Sequence, residues 1–134
     1  MKIQDRFKFR IPVVDKDGNF KKFVYFDLFN RPATTCRSTD VFKDTEQCTG
    51  LNDCNGKLIY EGDIIRTEIE TDNEYKQIIG EIVFWRLEWT IKTKGVFYPL
   101  SCAGQFSNGR KMPKQCYLTE VIGNIYENPE LLEG

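Results

Sequence analysis

Glu61 and Asp63 stand on either side of Gly62, and two carboxylates at that spacing are the chain's nearest approach to an acid and base pair. Such work needs an apolar surrounding that raises one of the two, whereas a strand-turn setting predicts a solvated bend with Asp63 capping backbone N–H groups. The chain has no histidine, which excludes Ser-His-Asp and Cys-His devices and every histidine-containing zinc site. Five cysteines, Cys36, Cys48, Cys54, Cys102 and Cys116, form no Cys-x-x-Cys knuckle and are odd in number, so reduced thiols are expected over a zinc site or a disulfide framework. Cys48 and Cys54 are six apart across a turn, where a redox pair is the alternative to packed or exposed thiols. Asp15-Lys16-Asp17-Gly18-Asn19 and Asp53-Cys54-Asn55-Gly56 open like calcium loops but lack the closing glutamate, and Asx before Gly is ordinary turn chemistry. No Gly-x-x-x-x-Gly-Lys phosphate loop occurs. No catalytic, cofactor-binding or metal-binding residue is therefore assigned, no cofactor is expected, and the chain is not expected to be an enzyme.

Charge offers a different chemistry. Arg6, Lys8 and Arg10 alternate on one face of a strand, and Arg110, Lys111 and Lys114 cluster in a loop rich in Gly, Ser and Asn. These six are the candidate interaction residues, suited to phosphate neutralisation on a nucleic acid. Trp85 and Trp89 have the ring faces that stack on bases, but they share strand parity with Val83, Leu87 and Ile91, which predicts core. Residues 1–23 carry seven basic side chains against three acidic ones, and residues 61–81 carry seven acids against two bases. Opposed patches on one chain complement each other between copies, so self-association is expected.

The elements that position these residues are short strands. A chain of 134 residues is long enough for one domain without staples, and 40% hydrophobic, 29% charged and 13% aromatic content predicts a folded, β-rich body. The net charge of -1 gives no global case for a nucleic-acid or membrane partner. No apolar run is long enough to span a bilayer and the first residues do not read as a secretion signal, which predicts a cytoplasmic protein. Phe7, Phe9, Ile11 and Val13 alternate with Arg6, Lys8 and Arg10 in a half-buried strand, and Asp17-Gly18 folds it into a hairpin with 20–29. Residues 31–47 read as a connector with one helical turn after Ser38-Thr39-Asp40. Leu58–Tyr60 and Asp63–Ile69 are strands about the Glu61-Gly62 bend, and 68–77 is a loop or hairpin tip. Residues 78–93 read as one long core strand; Val96–Leu100 and 117–126 are strands, and Asn128-Pro129-Glu130 heads a final helical turn. Glycine turns between many short strands suggest a closed small barrel.

Two stretches carry a family resemblance. Gln47-Cys48-Thr49-Gly50-Leu51-Asn52-Asp53 running on through Asn55-Gly56-Lys57-Leu58-Ile59-Tyr60-Glu61-Gly62-Asp63-Ile64, followed by Val121-Ile122-Gly123-Asn124-Ile125-Tyr126-Glu127-Asn128-Pro129-Glu130-Leu131-Leu132, resembles the YopX family of phage and prophage proteins. Phe7-Lys8-Phe9-Arg10 also looks like that family's opening. Cys48 and Cys54 depart from its pattern, and 31–46 carries no matching motif. The resemblance implies a phage or prophage origin, unassigned molecular function and an SH3-type β barrel around the Glu-Gly-Asp turn. The expected architecture is mainly β, with little helix: an N-terminal hairpin and connector over 1–45 and a barrel domain over 46–134. The expected role is a non-enzymatic, oligomerising interaction or regulatory module in the cytoplasm of a bacterial host. Its partners would be further copies of itself and a host or phage protein, with no membrane, and nucleic-acid binding is the alternative.

Overall fold

The alternation that begins at Phe7 becomes β1 (Lys8–Val14), and Asp15 turns the chain back into β2 (Phe20–Asp27). The Asp15 carboxylate accepts the backbone N–H groups of Asp17 at 2.8 Å and Asn19 at 2.9 Å, supplying the acceptors that the turn leaves open. The computed structural model describes residues 5, 7–29, 37–71, 74–102 and 119–133. Arg37 to Asp40 is a single hydrogen-bonded turn, and directly after it, where a helical turn was expected, comes a two-residue strand, β3 (Val41–Phe42), paired with β1. Then follow β4 (Glu46–Asn52) and β5 (Leu58–Tyr60). The first sheet has the order β2-β1-β4-β5, with β3 also on β1. The expected division between 1–45 and 46–134 runs between β1 and β4, which are neighbours here through Phe9 opposite Gln47 and Arg10 opposite Glu46.

The second sheet is an antiparallel meander of β6 (Asp63–Thr71), β7 (Glu74–Trp85), β8 (Glu88–Thr93) and β9 (Val96–Pro99), with β10 (Glu120–Asn124) returning to the outer side of β6. It curls into a half-barrel, and the chain is mainly β. Gly80 shows how tightly its strands approach. A Cβ there would meet Ile91 Cγ2 at 2.6 Å and the Lys92 carbonyl oxygen at 2.8 Å. Ile59, Ile65, Ile69, Ile78, Ile82, Ile91 and Leu100 fill the concave side, and Thr67 and Thr119 share a buried hydroxyl hydrogen bond of 2.6 Å. Leu100–Cys102 and Pro129–Leu132 are short 3₁₀ turns. No helix among the described residues is long and apolar enough to cross a membrane.

The stretch 78–93 is not one strand. Trp85 pairs with Glu88, and Arg86 and Leu87 form the two-residue connection of a hairpin with φ of 51° and 67°. Positive φ at both residues is the type I′ geometry that matches strand twist, a geometry more usually filled by Asn-Gly. The hairpin splits the predicted face: Ile91, opposite Ile82, is buried and Trp89 packs on the core as expected, whereas Trp85 is partly exposed and Leu87 is 91% exposed.

Glu61 and Gly62 join the two sheets. The Glu61 N–H donates to the Gln47 carbonyl at 2.9 Å, the Gly62 N–H to Ile82 at 2.9 Å, and the Gly62 carbonyl accepts from Ile125 at 3.0 Å. The Glu61 carbonyl accepts from the Arg10 guanidinium at 3.0 Å. All four backbone polar groups of this dipeptide thus reach strands or turns distant in sequence, which satisfies them as a buried turn requires.

Candidate functional site

Arg10 is the predicted interaction residue whose position differs most from expectation. Only 2% of it is exposed, so it does not belong to a wet basic face. β1 aims its side chain across the sheet junction, where Nε donates to Glu46 Oε1 at 2.8 Å and Nη2 lies 2.9 Å from Asp63 Oδ1. The guanidinium sits 3.9 Å over the Phe23 ring and 4.9 Å from the Tyr60 ring centre. A planar, delocalised cation fits this slot between aromatic faces as a lysine ammonium would not. Asp63 accepts the Tyr60 N–H at 2.8 Å, so the expected backbone cap at the Glu-Gly-Asp bend is present, but the bend is buried, not solvated.

Two carboxylates face one guanidinium, which leaves a surplus negative charge inside. Burial raises the Glu46 carboxyl to about 7 against the opposing pull of Arg10. Burial raises Asp63 too, again opposed by Arg10. Burial works against the Arg10 charge, but Asp63 and Glu46 outweigh it and hold the proton more firmly than usual. Gly62 is required beside this cluster because its φ is +85° and a Cβ would run into the Glu46 carboxylate. The cluster can exchange a proton near neutrality and lock two sheets together. Its three charged side chains are withdrawn from solvent.

The remaining sequence candidates are scattered. Lys8 pairs with Asp5 at 3.0 Å near the surface, and Arg6, Arg110, Lys111 and Lys114 lie outside the described residues. Arg10 and Asp63, members of the opposed basic and acidic stretches, meet each other inside one molecule. Asp53 is fully engaged as turn chemistry, its oxygens accepting the N–H groups of Asn55 (2.9 Å), Lys57 (2.8 Å) and Val121 (2.9 Å). Cys48 is a buried free thiol and Cys54 an exposed one; burial raises both. Asn128 precedes the last 3₁₀ turn but makes no side-chain cap to it, its Oδ1 accepting the Asn124 N–H at 3.3 Å instead.

With this geometry in place, the sequence matches the family described as YopX protein over residues 17–133. The chain belongs to the YopX family. Among solved structures, this YopX-family chain is similar to protein EF1440 from Enterococcus faecalis, with a TM-score of 0.48 and 23% identity, over 93% of this chain and 98% of that one. No curated protein matches it.

The surface features that sequence reasoning missed are apolar. Leu28 and Phe29, 78% exposed, follow β2. At the β7–β8 tip, Phe84, Trp85 and Leu87 surround Arg86, whose guanidinium lies 4.3 Å over the Trp85 ring. Trp85 in turn stacks on Phe97 at 4.1 Å and 10°. A groove of about 490 Å³ opens at the other end of the same meander, lined by Ile78, Ile79, Val96, Tyr98, Leu131 and Leu132 with Lys76, Lys94 and Glu133. The signal in the sequence was the leucine in Trp85-Arg86-Leu87-Glu88, an apolar residue in what is a turn.

Proposed function

We propose that this YopX-family chain is a non-enzymatic accessory protein of phage or prophage origin, a module that self-associates and contacts a host or phage protein in the bacterial cytoplasm. The observation that carries the reading is the placement of large apolar side chains, Leu28, Phe29 and Leu87, on the surface of two different sheets. Solvent-exposed aromatic and leucine clusters beside an arginine are the usual makings of protein contact centres. The groups with the best credentials for chemistry, Arg10, Glu46 and Asp63, are engaged with one another. The sheet order β10-β6-β7-β8-β9, with a 3₁₀ turn after β9, supports an SH3-type barrel as the scaffold. The expected phosphate-binding face has less support, since Arg10 is buried and Lys8 has a carboxylate partner.

Sedimentation of the purified chain at low salt, together with affinity capture from a phage-carrying host with and without nuclease treatment, tests the reading. Self-association and retention of a defined protein that Phe29→Asp releases are expected. A strict monomer that retains only nucleic acid, with affinity falling steeply as salt rises, would replace it with the nucleic-acid reading.

A further inference from the structure

The β7–β8 tip is an exposed apolar knob. Leu87 is 91% exposed at a φ of 67°, a left-handed conformation that leucine adopts at a cost, so neither core packing nor turn preference accounts for it. Beneath it Trp85 is clamped between the Arg86 guanidinium and the Phe97 ring. The groove floored by Ile78 and Ile79 and closed by Leu131 and Leu132 is the concave counterpart on the same chain.

Topology separates the two. The tip joins Trp85 to Glu88, whereas the groove gathers the first half of β7, the Thr93-Lys94 end of β8 and Val96. The six residues of β8 put roughly 20 Å between these ends, too far for the tip to reach its own groove. Charges at the two ends are complementary in kind. Arg86 and Glu88 flank Leu87, while Glu133 and the pair Lys76 and Lys94 rim the groove.

We propose that Leu87 of one copy inserts into the Ile79–Leu131 groove of the next, with Arg86 meeting Glu133, so that copies associate head to tail. The contact is heterologous: every open assembly still offers one free tip at one end and one free groove at the other, and growth ends only by ring closure or as an open filament. This rests on the self-association in the proposed function and specifies its surface.

Sedimentation velocity on the full chain tests it with wild type and four variants. Leu87→Asn removes the knob with a residue better suited to positive φ, so the fold is kept. Ile79→Glu, at a partly exposed groove position, removes the floor. Each variant alone is expected to associate at least about tenfold more weakly than wild type. Mixed, they are expected to form one-to-one dimers and nothing larger, because each supplies the surface that the other lacks. Arg86→Glu is expected to weaken association and Glu133→Arg, added to it, to restore it. Wild type that associates while Leu87→Asn and Ile79→Glu associate equally well overturns the head-to-tail contact and leaves the proposed function standing. Wild type that stays monomeric overturns both. A monomer whose Leu87 instead governs binding to anionic vesicles overturns the contact in favour of a lipid surface.

Discussion

At Glu46 burial opposes ionisation while Arg10 favours it, and burial prevails, placing the carboxyl at about 7 against an ordinary 4.5. A carboxyl raised on folding binds its proton more tightly in the folded chain. Its contribution to stability is therefore fully present below about pH 4.5 and is lost as pH rises to about 7. At about 1.4 kcal/mol per unit, that window amounts to on the order of 3 kcal/mol at most. Glu46→Gln keeps an acceptor for Arg10 Nε and removes the titration. Denaturant unfolding at pH 4.5 and 7.5 is expected to show wild type losing on the order of 2 kcal/mol more than the variant across that range; equal losses would refute it. None of this was legible in the sequence. Alternation placed Arg10 on a polar face, and only the fold brings Glu46 and Asp63, 36 and 53 positions away, to its side.

The elements were largely legible where turn chemistry is explicit. Asp15, Asn55-Gly56 and Lys94-Gly95 each mark a reversal that the structure contains, because aspartate carboxylates (Asp15, Asp53) and glycine supply the acceptors and positive φ that tight turns need. Arg86-Leu87 supplies neither, and unbroken period-two alternation ran straight through it. The same absence makes a prediction. Replacing Arg86-Leu87 by Asn-Gly relieves two left-handed non-glycine residues and is expected to raise stability by about 1 kcal/mol and Tm by about 3–5 °C, measured by thermal unfolding. A stabilised variant would show that this hairpin carries its tip for a reason other than folding. An unchanged or lowered Tm would show that the Trp85, Arg86 and Phe97 stack compensates for the strain.

Across the whole molecule, the two sheets meet at the Glu61-Gly62 turn and at Arg10. Arg10→Ala leaves Glu46 and Asp63 buried without a counter-charge, and is expected to cost about 3–5 kcal/mol. Because Arg10 reaches from β1 to β6, the loss is expected to appear in both sheets as one shared transition. Trp85 and Trp89 fluorescence, which reports the second sheet, should move to lower denaturant together with backbone circular dichroism. Two separated transitions would show that the sheets fold independently. The Glu61-Gly62 turn also sets an order of events during synthesis. Gly62 needs the N–H of Ile125, Asp53 that of Val121, and Thr67 the hydroxyl of Thr119. A nascent chain that has exposed only its first hundred residues to solvent therefore holds a hub with its polar groups unmet, and such long-range closure makes folding slow. Until residues 119–125 leave the ribosome, the side of β6 that pairs with β10 stays open to chaperones or to neighbouring copies.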